Sequence, residues 1–256
     1  MKENQTTKIS AKVIADSRNE FGNRITTMVV TFPRFILAEL NTHRMMSRNS
    51  ASSRAIPFEK MLDAVENNPF IPIAWQKDHK GMQGTEYFTN DDMSPVVKGR
   101  YVDCLRESEA EWLCARDKAI ASATYLSKIG VTKQLCNRLL EPFMWHTVII
   151  TATEWENFFA LRCPRYEYQG EVFRSRKDAC KTTGIKEEDY NWFELNKGQA
   201  EIHMMELAEQ MYDAMNESTP KELKAGEWHI PFGDKFYSLS TDFKLKVATA
   251  MCARVS

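Results

Sequence analysis

Three arginines, four serines, an asparagine and a histidine fall within the twelve residues His43-Arg44-Met45-Met46-Ser47-Arg48-Asn49-Ser50-Ala51-Ser52-Ser53-Arg54, and none of the twelve is acidic. Arginine offers a planar fork that meets a phosphate or carboxylate through two parallel hydrogen bonds. Short hydroxyls, and the backbone N–H groups beside them, reach the same oxygens. Such a stretch suits a bound anion, and the guest it predicts is a phosphorylated small molecule; the alternative is a solvated loop.

The residues upstream must position it. Pro33 suits a helix start, and Ile36, Leu40, His43 and Ser47 keep the spacing of one helical face. This predicts a helix over 33–47 that frays near Ser47, where Ser and Asn side chains compete for backbone hydrogen bonds, leaving 49–54 as a polar turn. On that face His43 points inward, and standing alone it would read as a core histidine with a satisfied ring.

Around this stretch the pattern predicts a hairpin over 8–32 with its turn at 19–23, and a short helix over 57–67 stopped by Pro69 and Pro72. Residues 74–97, with Trp75, His79, Gly81, Met82 and Gly84, show no period and read as a long loop. A long helix over 98–128 is closed by Gly130, and a shorter one runs through Arg138 until Pro142 ends it. A buried strand over 147–153 and a helix over 154–162 follow. Met204, Met205, Ala208, Met211, Tyr212 and Met215 form the packing face of another helix, and Asp242 caps a last one over 243–254. The fold class expected is α+β, a small antiparallel sheet packed with several long helices, in a single domain over 1–256.

Composition narrows the function. At 256 residues with 43% hydrophobic side chains the chain can bury a core. The formal net charge of −1 leaves no global basic field for duplex nucleic acid; positive charge is local, around Arg44 to Arg54. Six scattered cysteines (104, 114, 136, 163, 180 and 252) form neither a CxxC pair nor a zinc spacing, which points to a reduced cytoplasmic setting and no metal. The first eight residues lack the apolar core of a signal peptide, and no uncharged apolar run is long enough to span a bilayer, so a soluble protein is expected.

The pattern His-Arg-x2-Ser-x-Asn-x2-Ser-x-Arg at 43, 44, 47, 49, 52 and 54 resembles the signature of flavin-dependent thymidylate synthases. That family carries Arg-His-Arg, a serine, an Asn-Glu pair and a second Ser-x-Arg; Thr42 here replaces the first arginine and Ser50 the glutamate. Further on, Arg138-Leu139-Leu140-Glu141-Pro142 with Trp145-His146-Thr147 resembles the family's Arg-x-x-Leu-Pro followed by Tyr-Thr, with Glu141 in place of leucine. Asn157 to Arg162 resembles Asn-Phe-Leu-x-Leu-Arg, and Gln199-Ala200-Glu201-Ile202 resembles Ala-Gln-x-Glu-Ile. Between them, at about 163–198, lies an insertion rich in charge and aromatics. Cys252-Ala253-Arg254-Val255-Ser256 resembles an Ala-Ala-Arg-Val-Ser segment that family members carry near their N-terminus. This implies a circular permutation whose chain stops before the family's flavin-contacting histidine.

The resemblance implies an enzyme that moves a one-carbon unit from methylene-tetrahydrofolate to C5 of deoxyuridine monophosphate (dUMP), with flavin adenine dinucleotide (FAD) as cofactor and NADPH as reductant. By the same carry-over Arg162 and Arg54 are catalytic, with Arg162 polarising the uracil carbonyl. Ser52, Arg54, Arg138 and Arg162 hold the nucleotide, and His43, Arg44, Ser47, Asn49 and Asn157 contact the flavin. It also implies a homotetramer. Arg138 and Arg162 each end a predicted helix, where a cation gains roughly 0.3–1 kcal/mol from the macrodipole with no ligand at all; their recurrence with the 43–54 stretch is what favours the functional role. Two alternatives stay open: a relative that hydroxymethylates or alkylates another pyrimidine nucleotide, and a non-catalytic nucleotide-binding subunit that needs a partner chain.

Overall fold

The computed structural model describes residues 7–80, 84–97, 100–236 and 238–253. Along the chain the elements run β1 (Ser10–Asn19), β2 (Arg24–Pro33), α1 (Leu37–Leu40), β3 (Ser47–Ser50), α2 (Phe58–Asn67), β4 (Met93–Val97), β5 (Arg100–Asp103), α3 (Cys104–Lys128) and α4 (Lys133–Leu140). Then follow β6 (Trp145–Ala152), α5 (Glu156–Arg162), β7 (Tyr166–Tyr168), β8 (Glu171–Phe173), α6 (Arg176–Thr183), α7 (Trp192–Leu195), α8 (Ile202–Glu217), β9 (Lys221–Leu223) and α9 (Thr241–Ala253). This is an α+β fold, as the sequence pattern predicts.

β1 and β2 form the expected hairpin. Asn19 turns it: its Oδ1 accepts from the backbone N–H groups of Phe21 and Asn23 at 3.1 and 2.8 Å, and Gly22 takes the left-handed φ of 83° the turn requires. β2 pairs antiparallel with β6, β6 with the short β3, and β1 in parallel with β9, giving the strand order β3-β6-β2-β1-β9. Alternation puts Met28, Val30 and Phe32 of β2 and Val148 and Ile150 of β6 on one buried face. The methionine-rich face of α8 covers them with Met204, Leu207, Ala208 and Met211, and α5 adds Phe158 and Phe159. Each such fully buried side chain contributes about 1.5–3 kcal/mol, so the helix that carries the predicted methionine stripe anchors the sheet. Glu201 caps α8 by accepting from the N–H groups of His203 and Met204 at 2.8 and 3.0 Å.

A second cluster joins α2 (Met61, Val65), α3 (Ala123) and α4 (Cys136, Leu140). The 163–198 stretch packs around a small cluster of its own, Tyr166, Phe173, Ala179 and Trp192. No helix among the described residues is long and apolar enough to cross a membrane.

Three expected boundaries are corrected. The helix over 33–47 is a single 3-10 turn at Arg34–Ile36 and the four residues of α1. Thr42 closes it by donating through Oγ1 to the Glu39 carbonyl at 2.7 Å, and Ser47–Ser50 leaves the helical path to pair with β6. The open edge of β6 offers four polar residues a ladder that their weak helix propensity cannot match. The predicted 74–97 loop ends in β4, which pairs with β5, so the long helix starts at Cys104, where Asp103 accepts from Arg106 N–H at 3.0 Å. Gly130 does close it, at a φ of 89°. The last helix starts at Thr241, and the side chain that accepts at its start is Ser240, whose Oγ takes Phe243 N–H at 3.4 Å. Asp242 lies inside the first turn and pairs with Lys246 at 2.7 Å. Gly81 and Met82 of the predicted loop, and the Arg254-Val255-Ser256 that carries the permutation argument, lie outside the described residues.

Candidate functional site

The arginine-bearing turn is pinned at its middle. Ser53 is buried, and its hydroxyl donates to Glu141 Oε1 at 2.5 Å. Asn137, wholly buried in α4, donates Nδ2 to the carbonyls of Ser53 at 2.7 Å and Ile56 at 3.0 Å. Together these fix the backbone of 51–56 against α4, and losing one such buried contact costs about 1–3 kcal/mol. Ser52 and Arg54, on either side of Ser53, are exposed, and so is Arg138, the neighbour of Asn137. Two motif segments more than eighty residues apart in the chain therefore meet at one place, with the side chains of Ser52, Arg54 and Arg138 exposed and the Ser52 hydroxyl accepting from the Arg54 N–H at 3.3 Å.

Beside this junction opens a cleft of about 430 Å³, whose walls include Arg34, Phe35, Asn41, Arg138, Glu141 and Pro142. Arg34 Nη1 lies 2.9 Å from Nε2 of His146, and its Nη2 lies 3.7 Å from Glu141 Oε1. His146 is buried on the sheet, edge-on to Phe32. Burial, with the Arg34 charge added to it, pushes its pKa down to about 4, so it faces Arg34 as a neutral acceptor. The Arg138 guanidinium has no hydrogen-bond or ion-pair partner among the described residues.

A second centre forms where α5 meets the turn after α1. Arg162 Nε donates to His43 Nε2 at 2.9 Å, and its Nη1 donates to the carboxylate of Glu39. The His43 ring stands edge-on to Phe158 with centroids 4.9 Å apart. Burial first, then the charges of Arg162 and Arg48, lower the His43 pKa. Burial raises that of Glu39, with Arg162 opposing and the Glu201 charge adding to the rise. Arg48 is structural: Nη1 donates to the carbonyls of Leu40 and His43 at 3.2 and 2.6 Å and so closes the turn that presents the imidazole.

Of the residues singled out in the sequence, the structure joins Arg162 to His43 and sets Ser52 and Arg54 beside the α4 segment that carries Arg138. It does not join Arg162 to Arg54, Ser52 or Arg138 through any hydrogen bond among the described residues. Arg44, Ser47 and Asn157 are exposed near the His43 centre: Arg44 follows His43, Asn157 precedes Phe158, and Ser47 pairs across from Thr151 at the end of β6. Each of the three carries a hydrogen-bond donor at the surface. Asn49, the other residue the resemblance assigns to the flavin, is exposed, and its amide donates to the carbonyl of Cys252 in α9.

Sequence reasoning passed over Glu39, Arg34, Ser53 and Asn137. It noted Glu141 as a departure from the motif and His146 as part of the Trp145-His146-Thr147 match. Both side chains converge on a single guanidinium, Arg34.

No family model and no curated protein matches the sequence. Among solved structures the chain is similar to the crystal structure of a UMP/dUMP methylase, PolB from Streptomyces cacaoi, bound with 5-Br dUMP. The TM-score is 0.52 and the identity 13%, over 82% of this chain and 91% of that one. A structure of the same methylase with 5-Br UMP gives 0.48 and 15%, over 82% and 89%. The first of these likenesses establishes the fold.

Proposed function

We propose that this chain transfers a one-carbon unit to C5 of a uridine nucleotide, with dUMP the acceptor that the motif implies and thymidylate its product. The observation that carries the proposal is the pinning of the 51–56 turn onto α4 by Asn137 and Glu141, which sets Ser52, Arg54 and Arg138 at one exposed junction. A shared fold with a methylase named for UMP and dUMP supports it. UMP is the second acceptor to consider, because that enzyme's name pairs the two nucleotides.

In this reading Arg54, Arg138 and Ser52 anchor the nucleotide phosphate. Arg162 faces a uracil carbonyl, where a fixed positive fork stabilises the charge that develops as C5 becomes nucleophilic. Glu39 and His43 orient that fork. A neutral His43 accepts from Arg162 without competing for the substrate's electrons. A cysteine nucleophile has no place in this scheme, and burial of Cys163, the thiol next to Arg162, pushes its pKa up and keeps it protonated. FAD, held through its phosphates by Arg44, Ser47 and Asn157 beside His43, would supply the redox chemistry, with methylene-tetrahydrofolate as one-carbon donor and NADPH as reductant. These flavin donors all lie on the surface of a single copy, which suits the homotetramer the same resemblance implies.

The test is incubation with labelled methylene-tetrahydrofolate, NADPH and FAD, with dUMP or UMP as acceptor. Label at C5 of the nucleotide, dependent on added flavin, is the expected outcome. Transfer that ignores flavin would remove the cofactor from the scheme, and a nucleotide that stays unlabelled would overturn the proposal.

A further inference from the structure

We infer that Glu141 reads the sugar of the bound nucleotide by accepting from a ribose 2′-hydroxyl, so that the cleft takes ribonucleotides in preference to deoxyribonucleotides. The inference rests on the uridylate reading above and reverses its order of acceptors, putting UMP ahead of dUMP.

The cleft beside the pinned turn carries two guanidiniums, Arg34 and Arg138, and one carboxylate, Glu141. A wall meant only for phosphate gains nothing from a carboxylate, which repels the anion. Arg34 and Glu141 form an ion pair, but at 3.7 Å it is too long for a hydrogen bond, so neither carboxylate oxygen accepts from Arg34. Its one short contact is through Oε1, which accepts from Ser53 at 2.5 Å. That bond fixes the carboxylate while leaving Oε2 without a partner among the described residues, on a side chain that is 21% exposed.

An ionised carboxylate is an acceptor only, so the ligand group that completes it must be a donor. In a uridine nucleotide the donors are the uracil N–H and the sugar hydroxyls. With the phosphate assigned to Arg138, three residues before Glu141 in the same wall, the inference assigns the sugar hydroxyls to the carboxylate. A carboxylate bound to ribose hydroxyls is also how many dinucleotide folds recognise that sugar. Arg34 serves here as a counter-charge at a distance, and neutral His146 holds it there. Deoxyribose lacks the 2′-hydroxyl and leaves Oε2 unpaired. A charged hydrogen bond lost in this half-open setting corresponds to roughly tenfold in affinity.

Calorimetric titration of the full chain with UMP and with dUMP tests this, in the wild type and in Glu141→Gln and Glu141→Leu. The ratio of the two dissociation constants is the readout, because any change at Glu141 also loosens Ser53 and Arg34 and moves both constants together. We expect UMP to bind about tenfold more tightly than dUMP in the wild type. In Glu141→Leu the ratio should fall to about one, with Glu141→Gln between. The glutamine keeps an acceptor for Ser53 and nearly the same volume, so it guards against a leucine variant that fails to fold. Equal affinities in the wild type, a preference for dUMP, or a ratio that survives in both variants would overturn the sugar assignment and leave the uridylate reading standing. Binding of neither nucleotide would overturn that reading, and this one with it.

Discussion

Arg162 meets His43 through Nε to Nε2 at 2.9 Å, which makes the imidazole the acceptor and requires that nitrogen to be unprotonated. His146 stands in the same relation to Arg34. Both rings are therefore held neutral by an arginine in the folded chain, and both become free to protonate when it unfolds.

This fixes the sign of a pH dependence. A histidine whose folded pKa lies below its unfolded value of about 6.5 binds fewer protons in the folded state. Its contribution to stability is thus fully present above about pH 6.5 and is lost as pH falls toward the folded value, which is about 4 for His146. The loss from His146 is on the order of 3 kcal/mol over that window. Urea unfolding at pH 7.5 and 4.5 should show the decline in the wild type and a shallower one in His146→Gln. Parallel slopes for the two proteins would exclude His146 as a source.

Arg162→Lys keeps the charge but replaces a planar fork by a point charge, and it should lower kcat more than it raises KM. Glu39→Ala, which frees the fork, should lower kcat in the same way, and the double variant should be little worse than Arg162→Lys alone, because both act on one orientation. A KM effect without a kcat effect would move Arg162 to the anchoring set.

Arg48 and Arg54 should separate stability from binding. Arg54 is exposed, so Arg54→Ala should change stability by no more than about 0.5 kcal/mol and weaken uridylate binding by about 1.5–3 kcal/mol. Arg48→Ala unties the carbonyls of Leu40 and His43 and should lose about 1–2 kcal/mol of stability, with a smaller effect on binding. Thermal melts and nucleotide titrations of the two variants decide it; a reversed pattern would exchange their roles.

For the flavin, Arg44→Ala and Asn157→Ala should each weaken FAD binding several-fold while leaving the melting temperature near that of the wild type, since both side chains are exposed. Fluorescence quenching on titration measures the first and calorimetry the second. Unchanged flavin affinity in both variants would place the cofactor elsewhere.

Much of this architecture was legible in residue patterns because it rests on local rules. The hairpin follows from alternation around Asn19 and Gly22, and α8 from the spacing of its methionines. What misled was the spacing of Ile36, Leu40, His43 and Ser47, which fits a helix until one knows that β6 has an edge to fill. That edge lies about a hundred residues further on, and no local window contains it. The site divides along the same line. Exposed donors such as Arg54 and Arg138 stand out by type and motif position. Ser53, Asn137, Glu39 and Arg34 act through partners distant in sequence, and a side chain's buried contacts leave no periodic trace.

The strand order also sets a schedule for the growing chain. β3 lies at the edge of the sheet and, among the described residues, pairs only with β6, so Ser47 waits for Thr151. At about 5–20 residues per second, a wait of roughly a hundred residues lasts on the order of ten seconds, during which 43–56 has neither its strand partner nor the α4 amide that pins it. An apolar segment left open that long would be an aggregation hazard. Three arginines and four serines are well hydrated, so the composition that suits this segment to an anion also lets it stay in water until the second half of the chain arrives.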